Sequence, residues 1–316
     1  MTAVESRPES EITIAVLGAG IMASGVISRL HHQGFSLVLY NRTREKVLRL
    51  ARPGDRVVET PAEAADGADV VLSFVLDDQA SETIWMGSGG AFESIGADAI
   101  AVECSTLTPG YVERWLAAAS HNNVPAVDAP VTGSRDGAES GTLVVFAGAH
   151  QEPLERLRPV FSAMAERVIH FGPPGSGTRF KLAFNMMGGS ILVAVAESVA
   201  LAQSYGFDTE EIIAGLSSYG LGAAQRKAEY MARSNYTRID CALGTLLKDL
   251  RYASESEAAQ GLYLPLARQA RKQYERAHDQ GLARLDVAVV RSTYGRAAMP
   301  LPMRSKVQEG DNPDEH

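Results

Sequence analysis

The chain has 316 residues, with 30 Lys+Arg against 38 Asp+Glu, 45% apolar residues and two cysteines. That apolar fraction excludes wholesale disorder, and the length suits about two domains whose cores need no staples. The net charge of −8 argues against nucleic-acid and acidic-membrane partners. Cys104 and Cys241 cannot form a disulfide framework or a cysteine zinc site, so a reducing, cytoplasmic home is expected.

Residues 1–11 are polar and acidic, unlike a signal peptide, and read as a tail. Residues 12–17 form a β-branched run, followed by glycines and a helical pattern over 21–33. Further strands are expected at 37–40, 69–75, 99–103, 124–127, 143–146 and 167–170. Helices are expected between them at 43–51, 61–65, 108–120 and 152–163. This alternation predicts parallel βαβ units and an open sheet covered on both faces, over 12–172. The rhythm changes at the breaker cluster Gly172-Pro173-Pro174-Gly175. Residues 176–205, 209–217, 223–231, 244–260, 265–280 and 286–295 read as helices without strands, an all-α second domain over 173–300. Residues 301–316 read as another tail. The apolar run at 182–202 contains Asn185, Glu197 and Ser198, which marks a buried core helix and not a membrane span.

Gly18-Ala19-Gly20-Ile21-Met22-Ala23 lies between the first expected strand and its helix. This is the G-x-G-x-x-A form of the Rossmann dinucleotide fingerprint. The first glycine makes the tight turn. The second lets backbone approach a pyrophosphate seated on the helix N-terminus, contacted through Gly20, Ile21 and Met22. A carboxylate at the end of the second strand would accept from a ribose 2′-OH. Here that place holds Asn41-Arg42-Thr43-Arg44. Guanidinium groups pair with a 2′-phosphate, so NADP is expected over NAD. Val75 and Leu76 end the next strand, and Glu103-Cys104-Ser105-Thr106 the one after, with Thr106 near the nicotinamide end.

Three more motifs carry a family resemblance. The stretch Asp128-Ala129-Pro130-Val131-Thr132-Gly133-Ser134, continuing to Gly141-Thr142-Leu143, resembles the substrate signature of the β-hydroxyacid dehydrogenases. Gly175-Ser176-Gly177 with Lys181 and Asn185 looks like their catalytic signature, and Lys248-Asp249-Leu250 like their C-terminal cofactor signature. The resemblance runs from about residue 12 to 290, in order, and specifies the superfamily rather than one substrate. It implies a Rossmann-type domain, a long linking helix and an all-α domain that forms a homodimer. It implies that Lys181 is catalytic with Asn185 as helper. It further implies that Thr132, Gly133 and Ser134 hold a substrate carboxylate, and that Lys248 reaches the cofactor.

The chemistry suits these roles. Lys181 and Asn185, at i and i+4, share a helix face. An ammonium there can stabilise a developing alkoxide and donate its proton, or act in reverse as general base. The expected substrate is a small carboxylate-bearing carbonyl or alcohol. Departures from the family pattern are Ala23, Thr132, Ser134, Phe184 and Cys241, which suggest a reshaped pocket. Imine reductases share the Asn-Arg-Thr segment but usually lack the lysine. A non-catalytic NADP-binding homolog is the other alternative. No metal is expected, because the histidines are scattered without i, i+4 pairing.

Overall fold

The computed structural model describes residues 12–218 and 222–294. The expected tails at 1–11 and 301–316 lie outside the described residues.

The first unit alternates β1 (Thr13–Leu17), α1 (Ile21–Gln33), β2 (Ser36–Tyr40), α2 (Arg44–Leu48), β3 (Arg56–Val57), α3 (Pro61–Ala65), β4 (Val70–Ser73), α4 (Asp78–Met86), β5 (Ile100–Glu103), α5 (Pro109–His121) and β6 (Ala126–Asp128). The six strands run parallel in the order β3-β2-β1-β4-β5-β6. The order reverses between β1 and β4, which opens a crevice at their carboxyl ends. The strands are apolar on both sides because both faces are covered. Val26, Ile27, Leu30 and Phe161 pack on one face, and Trp85, Tyr111, Val112 and Trp115 on the other. Helix α4 is absent from the sequence expectation, although Asp77 caps it by accepting from the Ala80 N–H.

The expectation of a single open sheet needs correction. Pro130 lies just beyond β6, and without an N–H it cannot extend a parallel ladder. The chain forms β7 (Val131–Thr132) and α6 (Ser134–Ser140), then β8 (Leu143–Ala147), α7 (Gln151–Arg156), α8 (Arg158–Met164) and β9 (Ala165–His170). Strands β7, β8 and β9 make a separate sheet, antiparallel between β7 and β8 and parallel between β8 and β9. One isolated bridge, Asp128 to Gly148, links the two sheets.

The rest of the described chain is helical: α9 (Ser176–Ser204), α10 (Thr209–Ser217), α11 (Ala223–Ala232), α12 (Leu243–Ala259), α13 (Pro265–Asp279) and a 3₁₀ segment at Val287–Tyr294. Helix α9 has 29 residues and so is about 43 Å long. Its composition and length would suffice to cross a membrane. One side packs Leu192, Val193, Ala196 and Val199 into a core with Met231, Leu250 and Tyr274. Another side leaves Phe180, Met187, Ile191 and Leu201 exposed. Within this domain Lys227 is buried against Asp240 and Asp286, at 2.9 and 2.8 Å.

Candidate active site

The nucleotide turn is built by close approach. Gly18 has φ +118°, and a Cβ there would overlap the Phe74 carbonyl oxygen. Gly25 lies one turn into α1, where a Cβ would press at 2.7 Å on Ala138, so α1 and α6 meet backbone to backbone. Gly20 differs, because a Cβ there would meet no protein atom within 4 Å. Protein packing does not demand that glycine, but a group seated on the α1 N-terminus would. Helix α1 has no side-chain cap and no acidic residue in its first turn, which leaves its N–H groups and positive dipole end to an anion. The donor set of Gly20, Ile21 and Met22 therefore fits a pyrophosphate.

Asn41 ties this turn to the next. Its Oδ1 accepts from the Ala19 N–H at 3.0 Å, and its Nδ2 donates to the Thr43 carbonyl at 2.8 Å. Arg44 pairs with Glu59 at 2.7 Å. Arg42 is exposed and makes no ion pair among the described residues. Thr43 is the N-cap residue of α2.

At the ends of β4 and β5 the organising group is Glu103, which the sequence reading placed at a strand end without a role. It is fully buried. Its carboxylate accepts from Ser73 Oγ at 2.8 Å, Ser81 Oγ at 2.6 Å, Trp85 Nε1 at 3.0 Å and the Ser105 N–H at 2.9 Å. Ser105 Oγ in turn accepts from the Val75 N–H at 2.8 Å. Leu76 projects into solvent beyond it. The carbonyl of Thr106 accepts from Lys248 Nζ at 2.6 Å, so a helix of the second domain closes on the strand ends of the first. The structure thus brings Val75, Thr106 and Lys248 together.

The start of α9 fixes the reacting end. Asp128 caps it, accepting from the Gly175 N–H at 2.5 Å and the Thr178 N–H at 2.6 Å. Burial pushes its carboxyl up to about 6, against the pull of those N–H donors. Gly175 holds φ +92°, and a Cβ on Gly177 would overlap the Phe146 carbonyl oxygen. The signature Gly175-Ser176-Gly177 is therefore a docking surface of α9 on β6 and β8.

One turn on, Lys181 is 6% exposed. Its Nζ lies 5.4 Å from the Phe184 ring centroid and 6.0 Å from that of Phe146. No hydrogen bond or ion pair joins it to a described residue. Burial lowers its pKa to about 8, while the nearby Asp249 anion opposes the fall and Lys248 adds to it. Asn185 Nδ2 donates to Asp249 Oδ2 at 2.7 Å, and Lys248 Nζ pairs with Asp249 Oδ1 at 2.9 Å. A carboxylate partner requires the amide's NH₂ on that side, which leaves the Asn185 Oδ1 and its second N–H for other partners. Asp249 is a site residue that sequence reasoning left as a motif letter; its signal was its place beside Lys248. Cys241 is a neighbour of both Lys181 and Asp249, and burial pushes its thiol up to about 12. Met231, in contrast, is buried in the core of the helical domain.

The substrate-loop candidates sit between β7 and α6. Thr132 pairs with Val144 across the β7–β8 ladder. Gly133 has φ +133° and Ser134 φ +59°, a left-handed conformation that costs a serine roughly 1 kcal/mol. Helix α6 is gripped by the helical domain: Asp136 pairs with Arg226 at 2.5 Å and with Arg238 at 2.6 Å, and Arg135 Nη2 donates to the Ile239 carbonyl at 3.1 Å.

A parallel sheet with a glycine turn suited to a pyrophosphate, joined to a helical domain whose first helix carries a buried lysine, is the architecture of a dinucleotide-dependent oxidoreductase. Residues 13–172 match the family model of the NAD binding domain of 6-phosphogluconate dehydrogenase. Residues 175–294 match that of the NAD-binding region of NADP-dependent 3-hydroxyisobutyrate dehydrogenase. The chain is 31% identical over 249 residues to the probable 3-hydroxyisobutyrate dehydrogenase-like 3, mitochondrial, of Arabidopsis thaliana, covering 78% of each. It is 29% identical over 290 residues to the NAD-dependent L-serine dehydrogenase of Pseudomonas aeruginosa, covering 89% of this chain and 97% of that one. The crystal structure of 3-hydroxyisobutyrate dehydrogenase from Salmonella typhimurium shares the fold, with a TM-score of 0.83 at 22% identity over 90% of this chain and 100% of that one. The chain belongs to the β-hydroxyacid dehydrogenase family and is an NAD(P)-dependent dehydrogenase acting on CH–OH groups.

Proposed function

We propose that the protein is an NADP-dependent oxidoreductase that interconverts a β-hydroxy acid and its semialdehyde or keto form, with Lys181 as general acid and base. The carrying observation is the Lys181 amine, buried between the domains, without a hydrogen-bond partner among the described residues and with its pKa lowered to about 8. A base works best with a pKa near the working pH. In oxidation the neutral amine takes the hydroxyl proton; in reduction the ammonium returns it. Asn185, held by Asp249, orients the same oxygen. The Thr132 and Ser134 hydroxyls and the Gly133 N–H receive the substrate carboxylate.

Gly18, Gly20, Ile21 and Met22 would hold the pyrophosphate, with Val75, Leu76, Thr106 and Lys248 toward the nicotinamide. When bound, that ring accepts or supplies the hydride. Arg42, beside Asn41 and Thr43, supports NADP over NAD, since it is exposed and makes no ion pair among the described residues while Arg44 is engaged with Glu59. The related L-serine dehydrogenase is by name NAD-dependent, so the choice rests on this residue. The exposed apolar side of α9 supports a homodimer.

A panel of 3-hydroxy acids and semialdehydes, run with NADP and NAD, tests the activity. Lys181→Met should lower kcat by about 10²- to 10⁴-fold while NADPH still binds. An unchanged kcat in that variant sinks the mechanism.

A further inference from the structure

Glu103 is a carboxylate in the core that makes no ion pair among the described residues. Each oxygen accepts from a donor that cannot reverse its role: the Ser105 N–H on Oε1 and the Trp85 indole N–H on Oε2. Around them the Ser73 and Ser81 hydroxyls also donate, so donors face both oxygens of the carboxylate. Such a group is costly to bury unless several donors surround it. Here donors come from β4 (Ser73), α4 (Ser81 and Trp85) and the residue following Cys104 (Ser105). Tyr111 of α5 donates to Ser81 at 2.9 Å and extends the network. Four segments thus converge on one charge. Those segments carry the strand ends in question, since Ser105 takes the Val75 N–H and the next residue, Thr106, takes the Lys248 ammonium.

A fixed anion in low dielectric acts on charges nearby, and it acts on two redox forms of a ligand unequally when they differ in charge. The oxidised nicotinamide ring is cationic and the reduced ring is neutral. We propose that Glu103 is a positioning residue for the nicotinamide side of the cofactor site, and that its buried charge biases the protein toward the oxidised cofactor. The proposal rests on the assignment of Val75, Leu76 and Thr106 to that side of the site.

The test is a set of equilibrium titrations without substrate, following cofactor and tryptophan fluorescence for NADP⁺ and NADPH on wild type and each variant. Glu103→Asp keeps the charge and shortens its reach; both Kd values should rise while their ratio stays within about twofold. Glu103→Gln removes the charge; NADP⁺ binding should weaken at least about threefold more than NADPH binding. The Gln amide would set its NH₂ against either the Ser105 N–H or the Trp85 N–H. The double variant Glu103→Gln, Trp85→Phe removes that clash and should show the same ratio change in a better-folded protein. Equal weakening of both forms in the Gln variants leaves a merely structural residue and overturns the proposal. A ratio that moves as far in Glu103→Asp as in Glu103→Gln overturns it too. Failure of wild type to bind either cofactor overturns the cofactor assignment itself, and this proposal with it.

Discussion

If Lys181 is the general acid and base proposed above, it and Asp249 set the pH behaviour. With the Lys181 pKa lowered to about 8, the amine is protonated below that pH and neutral above it. Oxidation needs the neutral form, so kcat/KM for the hydroxy acid should rise with pH and level off above about 8. Reduction needs the ammonium, so its kcat/KM should be flat at low pH and fall through the same midpoint. Asp249 raises this pKa, so Asp249→Asn should move both midpoints to lower pH and, by freeing Asn185, lower kcat as well. Paired pH–rate profiles check both signs; a midpoint that stays in place would show that Lys181 does not titrate in the reaction. At the other end of the site, Arg42→Ala should raise the KM for NADP tenfold or more and leave that for NAD little changed, because one charge-assisted pair to a phosphate is lost.

At the scale of elements, the site depends on where α9 begins. Gly177 meets the backbone of Phe146, and Asp128 fastens the first N–H groups of the helix. Gly177→Ala should cost about 1–3 kcal/mol of stability, because the helix start must back away from β8. A displacement of that kind also misplaces Lys181, so kcat should fall about 100-fold. Gly215 in α10 is the contrast, since a Cβ there meets nothing within 4 Å. Gly215→Ala should be neutral or stabilising by up to about 1 kcal/mol. Thermal melts of the two variants, with steady-state rates for Gly177→Ala, separate close approach from glycine propensity. The fingerprint glycines, the Lys181/Asn185 pair and most strands were legible because each depends on local spacing. Helix α6 and strand β7 were not, because a two-residue strand and a seven-residue helix carry too little periodicity to register.

The whole molecule is two domains whose fastenings among the described residues include Asp128 on the start of α9, Arg179 on Glu113, Lys248 on the Thr106 carbonyl, and Asp136 between Arg226 and Arg238. The last clamp is exposed, so its contribution to stability is small and falls with salt. Its place beside the Thr132–Ser134 loop matters more, and Asp136→Asn should raise the KM for the hydroxy acid several-fold while cofactor Kd stays constant. The exposed residues of α9 predict a particle of twice the 33.8 kDa chain mass by light scattering, and a particle of single mass at working concentration would sink the dimer. By itself the sequence determined the dinucleotide turn, the passage from α/β to all-α at the Gly-Pro cluster, and the lysine one helical turn from an asparagine, because these are patterns of neighbours along the chain. Only the tertiary structure decided that Glu103 gathers four segments, that Asp249 holds Asn185, that Asp128 is a helix cap, and that β7, β8 and β9 leave the main sheet. Most of those contacts join residues 12 to 64 positions apart, and burial, not spacing, selects which of them meet.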